Sequence, residues 1–109
     1  MPASLILDTT RRGDGRLVLT AAGEIDLSNI DAFNQALTRA TTEVASRGAR
    51  LTVDLAAVEY LDSAAINALY SLADHIHLIA NPVLIRSLTV SGLAELVTIE
   101  PPPPATAMH

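Results

Sequence analysis

The stretch Leu51–Ala73 constrains the fold more than any other part of the chain. It opens with β-forming residues that end at Ala56, and an apolar connection then leads to Asp62 and Ser63. From Ala64 to about Ala73 the apolar residues recur at i, i+3, i+4 and i+7, which is the spacing of one face of a helix. The sequence therefore predicts a strand, a loop and a helix that begins at Asp62-Ser63.

Asp62 and Ser63 are both suited to the first turn of this helix. Each has a short side chain whose oxygen can accept a hydrogen bond from a free N–H group there, so either residue can be the N-cap. A serine taken alone is most often only a cap. Ser63 is nevertheless predicted to lie at the positive end of a helix dipole, on an exposed edge of the domain.

This stretch resembles the signature of the STAS domain, the fold shared by bacterial anti-sigma factor antagonists and the cytoplasmic tails of sulfate transporters. The matching residues are Asp54, Leu55, Val58, Tyr60, Leu61, Asp62, Ser63 and Ile66. Ala65 stands where the family usually has glycine. Two further blocks, Gly23–Asp26 and Val90–Leu93, resemble the family's upstream and final motifs. Three blocks in the right order are far more specific than one short motif.

The resemblance implies a function for Ser63. An anti-sigma factor antagonist binds an anti-sigma factor in its unmodified form and so frees a sigma factor. Anti-sigma factors of this group are often ATP-dependent serine kinases that phosphorylate the signature serine, and a serine phosphatase reverses the modification. The chain is therefore expected to be a phosphorylation switch, not an enzyme, and to need no cofactor. Its predicted partner-binding residues are Asp26, Asp62, Ser63, Ala64 and Asn67.

Two other functions within the family stay open. The chain could be a STAS subunit of a membrane lipid or solute transport complex, using the same helix to dock on an ATPase. It could also be a ligand-sensing STAS module that binds a nucleotide or a lipid. The intact Asp62-Ser63 pair favours the antagonist, because a purely structural subunit would not need the hydroxyl. For Asp26, a role as a turn former and a role as a partner contact are both open.

Composition excludes several classes of function. The 109 residues contain no cysteine, which excludes disulfides and thiol catalysis, and the net charge of -5 argues against nucleic acid as a partner. No apolar run reaches the roughly 18 residues of a membrane span, so a cytoplasmic protein is expected. His75 and His77 would share one face of a strand, but no third ligand is near, so no metal is predicted. Ser63 lacks the glycines of a hydrolase elbow.

The chain before Leu51 predicts a hairpin and a helix. Strands over Ser4–Thr9 and Leu17–Ala22 flank an Asp-Gly turn and form an antiparallel pair. A helix begins near Ser28, whose spacing to Asp31 resembles a capping box. Its apolar stripe faces a sheet, and Gly48 ends it in a left-handed conformation. The stripe consists of Ile30, Phe33, Leu37, Ala40 and Val44.

The chain after Ala73 completes the predicted fold. A strand over Ile76–Ala80 is followed by a helix from Val83 to about Leu96, and Val97–Glu100 is either a last strand or the frayed end of that helix. The fold class is α/β, a small mixed β-sheet with one antiparallel hairpin and helices packed on one face. Residues 1–100 form a single STAS-like domain, and the proline-rich tail 101–109 is disordered.

The second predicted helix has more apolar surface than one buried face needs. Only Asn67, Ser71 and Asp74 are polar along it, at i, i+4 and i+7. An exposed apolar flank beside Ser63 is typical of a surface that docks another protein. The chain alone is therefore expected to be a monomer that forms a defined complex with its partner.

Overall fold

A computed structural model describes residues 4–13 and 15–102 of the chain. The strands are β1 (Leu5–Arg11), β2 (Leu17–Ile25), β3 (Leu51–Leu61), β4 (Ile76–Ala80) and β5 (Ile99–Glu100). The helices are α1 (Ile30–Ala45), α2 (Ser63–Ser71) and α3 (Pro82–Val90), with 3₁₀ turns at Ala73–His75 and Leu93–Glu95. The predicted disordered tail lies outside the described residues from Pro103 onward.

The strands form one mixed sheet in the order β1-β2-β3-β4-β5. β1 pairs antiparallel with β2, and every later neighbour pairs in parallel. Each parallel step moves to the next strand in the same direction, and such crossovers are right-handed, so α1, α2 and α3 lie on the same face of the sheet. The predicted fold class, a mixed sheet with one antiparallel pair and helices on one face, is confirmed.

The core lies between the helices and the covered face of the sheet. Alternate residues of the central strands point into it, as the period of two in a strand requires. The largest fully buried side chains of this cluster are Leu19, Ile25, Phe33, Leu37, Leu51, Leu55, Leu69, Ile76, Leu78, Leu88 and Leu93. The residues between them in the strands, among them Val18, Thr52 and His77, face the other side of the sheet. We call this side the open face, since no helix of the described residues covers it.

β3 is longer than the strand predicted to end at Ala56. It continues through Leu61, because β2 also extends to Ile25 and offers a pairing partner along the whole length. The pairing from Ala57 onward follows a shift of register after Thr20, and a second shift comes after Gly23. Bulges of this kind interrupt a hydrophobic alternation, so the second half of β3 looked like a loop from the sequence.

α1 begins later than predicted, and the predicted capping box is wrong. The N-cap is Asn29, without a side-chain hydrogen bond to the helix. Ser28 is not available as a cap because its backbone N–H and its hydroxyl both donate to Asp26 Oδ1, at 2.9 and 2.5 Å. The rest of the prediction is confirmed: the apolar stripe packs on the sheet, with Ile30 partly buried, and Gly48 has a φ of 68°.

α3 is shorter than the predicted helix from Val83 to Leu96. It begins one residue earlier, at Pro82, and Asn81 caps it by accepting from Leu84 N–H at 3.1 Å. It ends at Val90, because Gly92 has a φ of 88°, a left-handed conformation that stops a helix. The chain beyond forms a 3₁₀ turn, and β5 then settles the open alternative at the carboxyl end in favour of a strand.

α2 also ends two residues before the predicted limit at Ala73, and a 3₁₀ turn separates it from β4. Its partner is α3. The Tyr70 hydroxyl donates to Ser91 O at 2.7 Å, and a Cβ placed on Gly92 would lie 2.9 Å from that hydroxyl oxygen. The block Val90–Leu93, which resembles the family's final motif, therefore has a structural role. Without a side chain, Gly92 leaves room for the Tyr70 hydroxyl where the chain leaves α3.

Substitution of Gly23 tests the close approach of the start of β1 to β2. Its φ is 109°, and a Cβ added there would lie 2.1 Å from the carbonyl oxygen of Ser4, which accepts from Glu24 N–H. Gly23→Ala must therefore strain the backbone and displace the start of β1, and we expect it to lower the free energy of unfolding by more than about 2 kcal/mol. Urea denaturation followed by circular dichroism measures this.

Gly13→Ala is the matched control. A Cβ on Gly13 meets nothing within 4 Å and its φ is not positive, so we expect a change within about 0.5 kcal/mol. Equal stability of the two variants would contradict the close approach of Ser4 to Gly23.

Candidate partner-binding site

Ser63 is the first residue of α2, at the edge of the sheet where the parallel strands end. It directly follows the turn that leads out of β3, and it is exposed. Its hydroxyl makes no hydrogen bond with any residue in the described part of the chain. A free hydroxyl at the positive end of a helix dipole can carry a phosphate without losing an existing contact.

Asp62 is the N-cap of α2. Its Oδ1 accepts a hydrogen bond from Ala65 N–H at 3.1 Å, and its Oδ2 accepts one from Leu27 N–H at 2.9 Å. Its own backbone N–H donates to Ile25 O at 3.1 Å. One carboxylate therefore joins the amino end of α2 to the loop between β2 and α1. The question of which residue is the cap is settled in favour of Asp62, and the Ser63 side chain is not needed for the helix.

Asp26 shapes the loop that Asp62 holds. Its Oδ1 accepts from both donors of Ser28, and its backbone N–H donates to Asn29 Oδ1 at 3.0 Å. Asn29 Nδ2 in turn donates to Glu24 O at 2.9 Å. Asp26 is thus a turn former, as one of the two interpretations expected. Its Oδ2 accepts no hydrogen bond from a described residue. Asn29 was not among the residues predicted for this site, although Asn is a frequent turn residue.

The surroundings of Ser63 are acidic. Glu24, Asp26, Glu59 and Asp62 all lie at the ends of β2 and β3, at the same edge of the sheet. Among the described residues, none of these four carboxylates forms a salt bridge; Arg11–Glu43 and His77–Glu100 are ion pairs elsewhere in the fold. Any negative charge added at Ser63 therefore meets uncompensated negative charge.

The face of α2 that reaches solvent is polar. Ser63, Asn67 and Ser71 are exposed, Ala64 is half-buried, and Ala65 is fully buried. Asp74, predicted to continue the polar strip, is exposed but lies on the following 3₁₀ turn.

The apolar flank of α2 was predicted to be exposed beside Ser63, and this prediction is wrong. Ile66 and Tyr70 pack partly against the core, because α3 approaches α2 at Tyr70. The exposed apolar residues near Ser63 are instead Leu27, 76% exposed, and Tyr60, 51% exposed. Both were missed as candidates for partner binding. The signal in the sequence was Leu27 itself, a large apolar residue in an otherwise polar turn.

The two histidines are not arranged as one metal site. His75 lies in the 3₁₀ turn and His77 lies in β4, where its Nε2 is 3.2 Å from Glu100 Oε2. The expectation that they share one face of a strand is therefore wrong, because the strand begins only at Ile76. In the described part of the chain, no group of three or more acidic or histidine side chains could hold a metal ion.

None of the helices in the described part of the chain is both long and apolar enough to cross a bilayer.

Residues 9–98 match the family model described as "Mlab, STAS domain". The chain belongs to the STAS family. The match covers all three sequence blocks and most of the chain, and it confirms the resemblance that those blocks indicated. No curated protein matches the chain.

Solved structures share this STAS fold. An anti-sigma factor antagonist from Mycobacterium paratuberculosis is similar with a TM-score of 0.78 and 23% identity, over 95% of this chain and 90% of that one. An uncharacterized protein of the DUF3478 family with a SpoIIAA-like fold, from Shewanella loihica PV-4, is similar with a TM-score of 0.56 and 12% identity, over 98% and 92%. At these identities the likeness concerns the fold.

Removing the Asp62 carboxylate tests its part in this STAS site. Asp62→Ala removes the cap of α2, typically about 1 kcal/mol, and the bond to Leu27 N–H, worth about as much at a half-exposed position. We expect a loss of about 2 kcal/mol in the free energy of unfolding, measured by urea denaturation.

Glu59→Ala is the control, since it removes the same charge from an exposed position that has no hydrogen bond to the described residues. We expect a change below about 0.5 kcal/mol. If both variants lose the same stability, the carboxylate acts only through its charge and does not join the helix to the loop.

Proposed function

We propose that this STAS protein is an anti-sigma factor antagonist whose binding surface is switched off by phosphorylation of Ser63. In its unmodified form it binds an anti-sigma factor, an ATP-dependent serine kinase, and so frees a sigma factor; a serine phosphatase restores the binding form. The observation that carries this proposal is the exposed, unbonded hydroxyl of Ser63 beside a cap supplied by Asp62. A serine that is not needed for the helix is available for modification.

Phosphorylation at Ser63 would leave the fold intact. The added charge of about -1.5 to -2 sits at a helix amino terminus, where an anion is stabilised by roughly 0.3–1 kcal/mol. The hydrogen bonds of Asp62 do not involve the hydroxyl. The fold therefore tolerates the modification. What the modification changes is the affinity of this surface for its partner.

The surface around Ser63 suits a protein partner in its unmodified state. Leu27 and Tyr60 offer apolar contact, and Asn67 and the free oxygen of Asp26 offer polar contacts at the rim. A phosphate placed among the four nearby carboxylates brings like-charge repulsion and a desolvation cost into that contact. Binding is thus lost while folding is kept.

As an antagonist of this kind, the protein acts as a binding switch in the cytoplasm and not as an enzyme, with residues 1–100 as its domain, and it is a monomer when alone. A homodimer that buries the start of α2 would cover the contacts assigned to Asp26, Asp62, Ser63, Ala64 and Asn67. A stable dimer burying α2 in light scattering would therefore count against the proposal.

Substitution at Ser63 tests the switch. We expect Ser63→Ala to bind the anti-sigma factor like the wild type and to resist inactivation by ATP, because it keeps a small neutral side chain. Ser63→Asp should raise the Kd by about a hundredfold, which corresponds to roughly 2.7 kcal/mol of lost binding energy. Isothermal titration calorimetry measures both, and mass spectrometry after incubation with ATP locates the phosphate.

Ser87→Asp on α3 is the matched control, since it adds the same charge to an exposed serine on another helix. It should bind normally. Tight binding by Ser63→Asp, or a phosphate on Ser28 or Ser71 instead, would contradict the role of Ser63. Capture of a transporter ATPase by the wild type, with no kinase bound, would favour the transport-subunit alternative.

A further inference from the structure

The last part of β3 extends beyond the strand that pairs with it on the α3 side. β4 ends at Ala80, which lies opposite Leu55, whereas β3 continues over Ala56–Leu61 with β2 as its neighbour. We call Ala56–Leu61 the β3 extension. In the described part of the chain, no strand pairs with its other edge. The β3 extension leads directly to Asp62 and Ser63, so its direction decides where the candidate site lies.

The β3 extension begins at a bulge. Between the pairs Thr20–Asp54 and Ala22–Ala57, β2 advances by two residues and β3 by three. An extra residue of this kind bends a strand and changes the direction of the residues that follow it. It also leaves nearby backbone groups outside the ladder, where they need other hydrogen-bond partners.

Two side chains supply partners for the backbone at this bulge. Asp54 Oδ1 accepts a hydrogen bond from Ala56 N–H at 3.0 Å. Asn81 Nδ2 donates to Ala56 O at 3.3 Å and to Val58 O at 2.7 Å. Asn81 is the first residue after β4 and is half-buried. Its amide group therefore continues the bonding to β3 at the point where β4 has ended.

The same side chain holds the start of α3. Asn81 Oδ1 accepts from Leu84 N–H at 3.1 Å, which makes Asn81 the N-cap, and Asn81 O accepts from Ile85 N–H at 3.0 Å. The cap needs only a side-chain oxygen, which serine or aspartate would supply equally well. The bonds to β3 need the side-chain NH₂ group, which neither of those residues has. Capping alone would thus accept any of the three residues, whereas the bonds to β3 need asparagine.

We propose that Asn81 is a positioning residue for the surface around Ser63. Its amide group fixes the direction in which the β3 extension leaves the sheet, and with it the position of Tyr60 and Asp62 beside the loop that carries Leu27. This role rests on the function proposed for Ser63: partner binding then depends on a residue at the start of α3 that the partner itself does not have to touch.

The hydrogen bond that reports on this arrangement lies at the far end of the β3 extension. Asp62 N–H donates to Ile25 O at 3.1 Å, and the Asp62 side chain then accepts from Leu27 N–H. Without the amide of Asn81, the β3 extension is held through β2 alone. Backbone segments with fewer hydrogen bonds open locally more often, so the Asp62 N–H should lose protection from exchange with solvent.

Amide hydrogen exchange in the protein alone tests the role of Asn81. Asn81→Ser keeps an oxygen for the cap and removes the donor to β3. We expect the Asp62 N–H to exchange roughly tenfold faster, as the loss of two hydrogen bonds allows, while the Ile85 N–H keeps its protection. Asn81→Asp places a carboxylate oxygen where Nδ2 now lies 2.7 Å from Val58 O, so two acceptors repel and the exchange of Asp62 N–H should be faster still.

Isothermal titration calorimetry with the anti-sigma factor that binds the wild type measures the effect on binding. Asn81→Ser should raise the Kd about fivefold, because the partner must then order side chains that the wild type holds in place. The exchange measurement needs no partner. A wild type that binds no anti-sigma factor would contradict the proposed function, whereas faster exchange at Asp62 with an unchanged Kd would contradict the positioning role.

Two variants are matched controls. Asn34→Asp makes the same chemical change at an exposed position of α1. Ile85→Val removes one methyl group from a half-buried residue of α3 and leaves the amide of Asn81 in place. Both should keep the exchange rate of Asp62 N–H and the Kd close to the wild-type values. Unchanged exchange in Asn81→Ser, or an equal increase in Ile85→Val, would overturn the proposal, because Asn81 would then act only through the stability of α3.

Discussion

The carboxylate of Asp62 is the interaction on which the candidate site depends. It caps α2 through Ala65 N–H and holds the loop between β2 and α1 through Leu27 N–H. The same residue's backbone continues the pairing of β3 with β2 through Ile25 O. The amino end of α2, the end of β2 and the loop that follows β2 therefore meet at one residue. Because Asp62 supplies the cap, Ser63 is left with a hydroxyl that the fold does not use, and this separation of tasks is what permits a switch at that position.

The topology of the sheet also separates charge. The ends of β2 and β3 carry Glu24, Asp26, Glu59 and Asp62, whereas their starts carry Arg16 and Arg50. The 11 residues of β3 hold the two ends roughly 35 Å apart, at about 3.3 Å per residue. A charge added at Ser63 is screened over that distance at physiological ionic strength, where the Debye length is about 8 Å. A charge added at Ser63 therefore acts on its own end of the sheet and not on the arginines at the other end.

Local patterns were predictable from the sequence, and long-range pairing was not. The stripe of α1, the strand at Ile76–Ala80 and the serine at the start of α2 follow from periodicity, composition and the family blocks. The length of β3 depends on how far β2 extends, and the late start of α1 depends on Asp26 taking both donors of Ser28. The position of Leu27 beside the start of α2 depends on Asp62, 35 residues away. Each of these needs a partner that no local window contains.

Amide hydrogen exchange at Leu27 and Ala65 tests the account of Asp62 most directly. In the wild type we predict that both N–H groups are protected, because each donates to one oxygen of the same carboxylate. In Asp62→Ala both should lose protection together, while the amides of β4 keep theirs. If Leu27 N–H exchanges freely in the wild type, or if only Ala65 responds to the substitution, Asp62 is an ordinary helix cap, and the surface around Ser63 is not built as described.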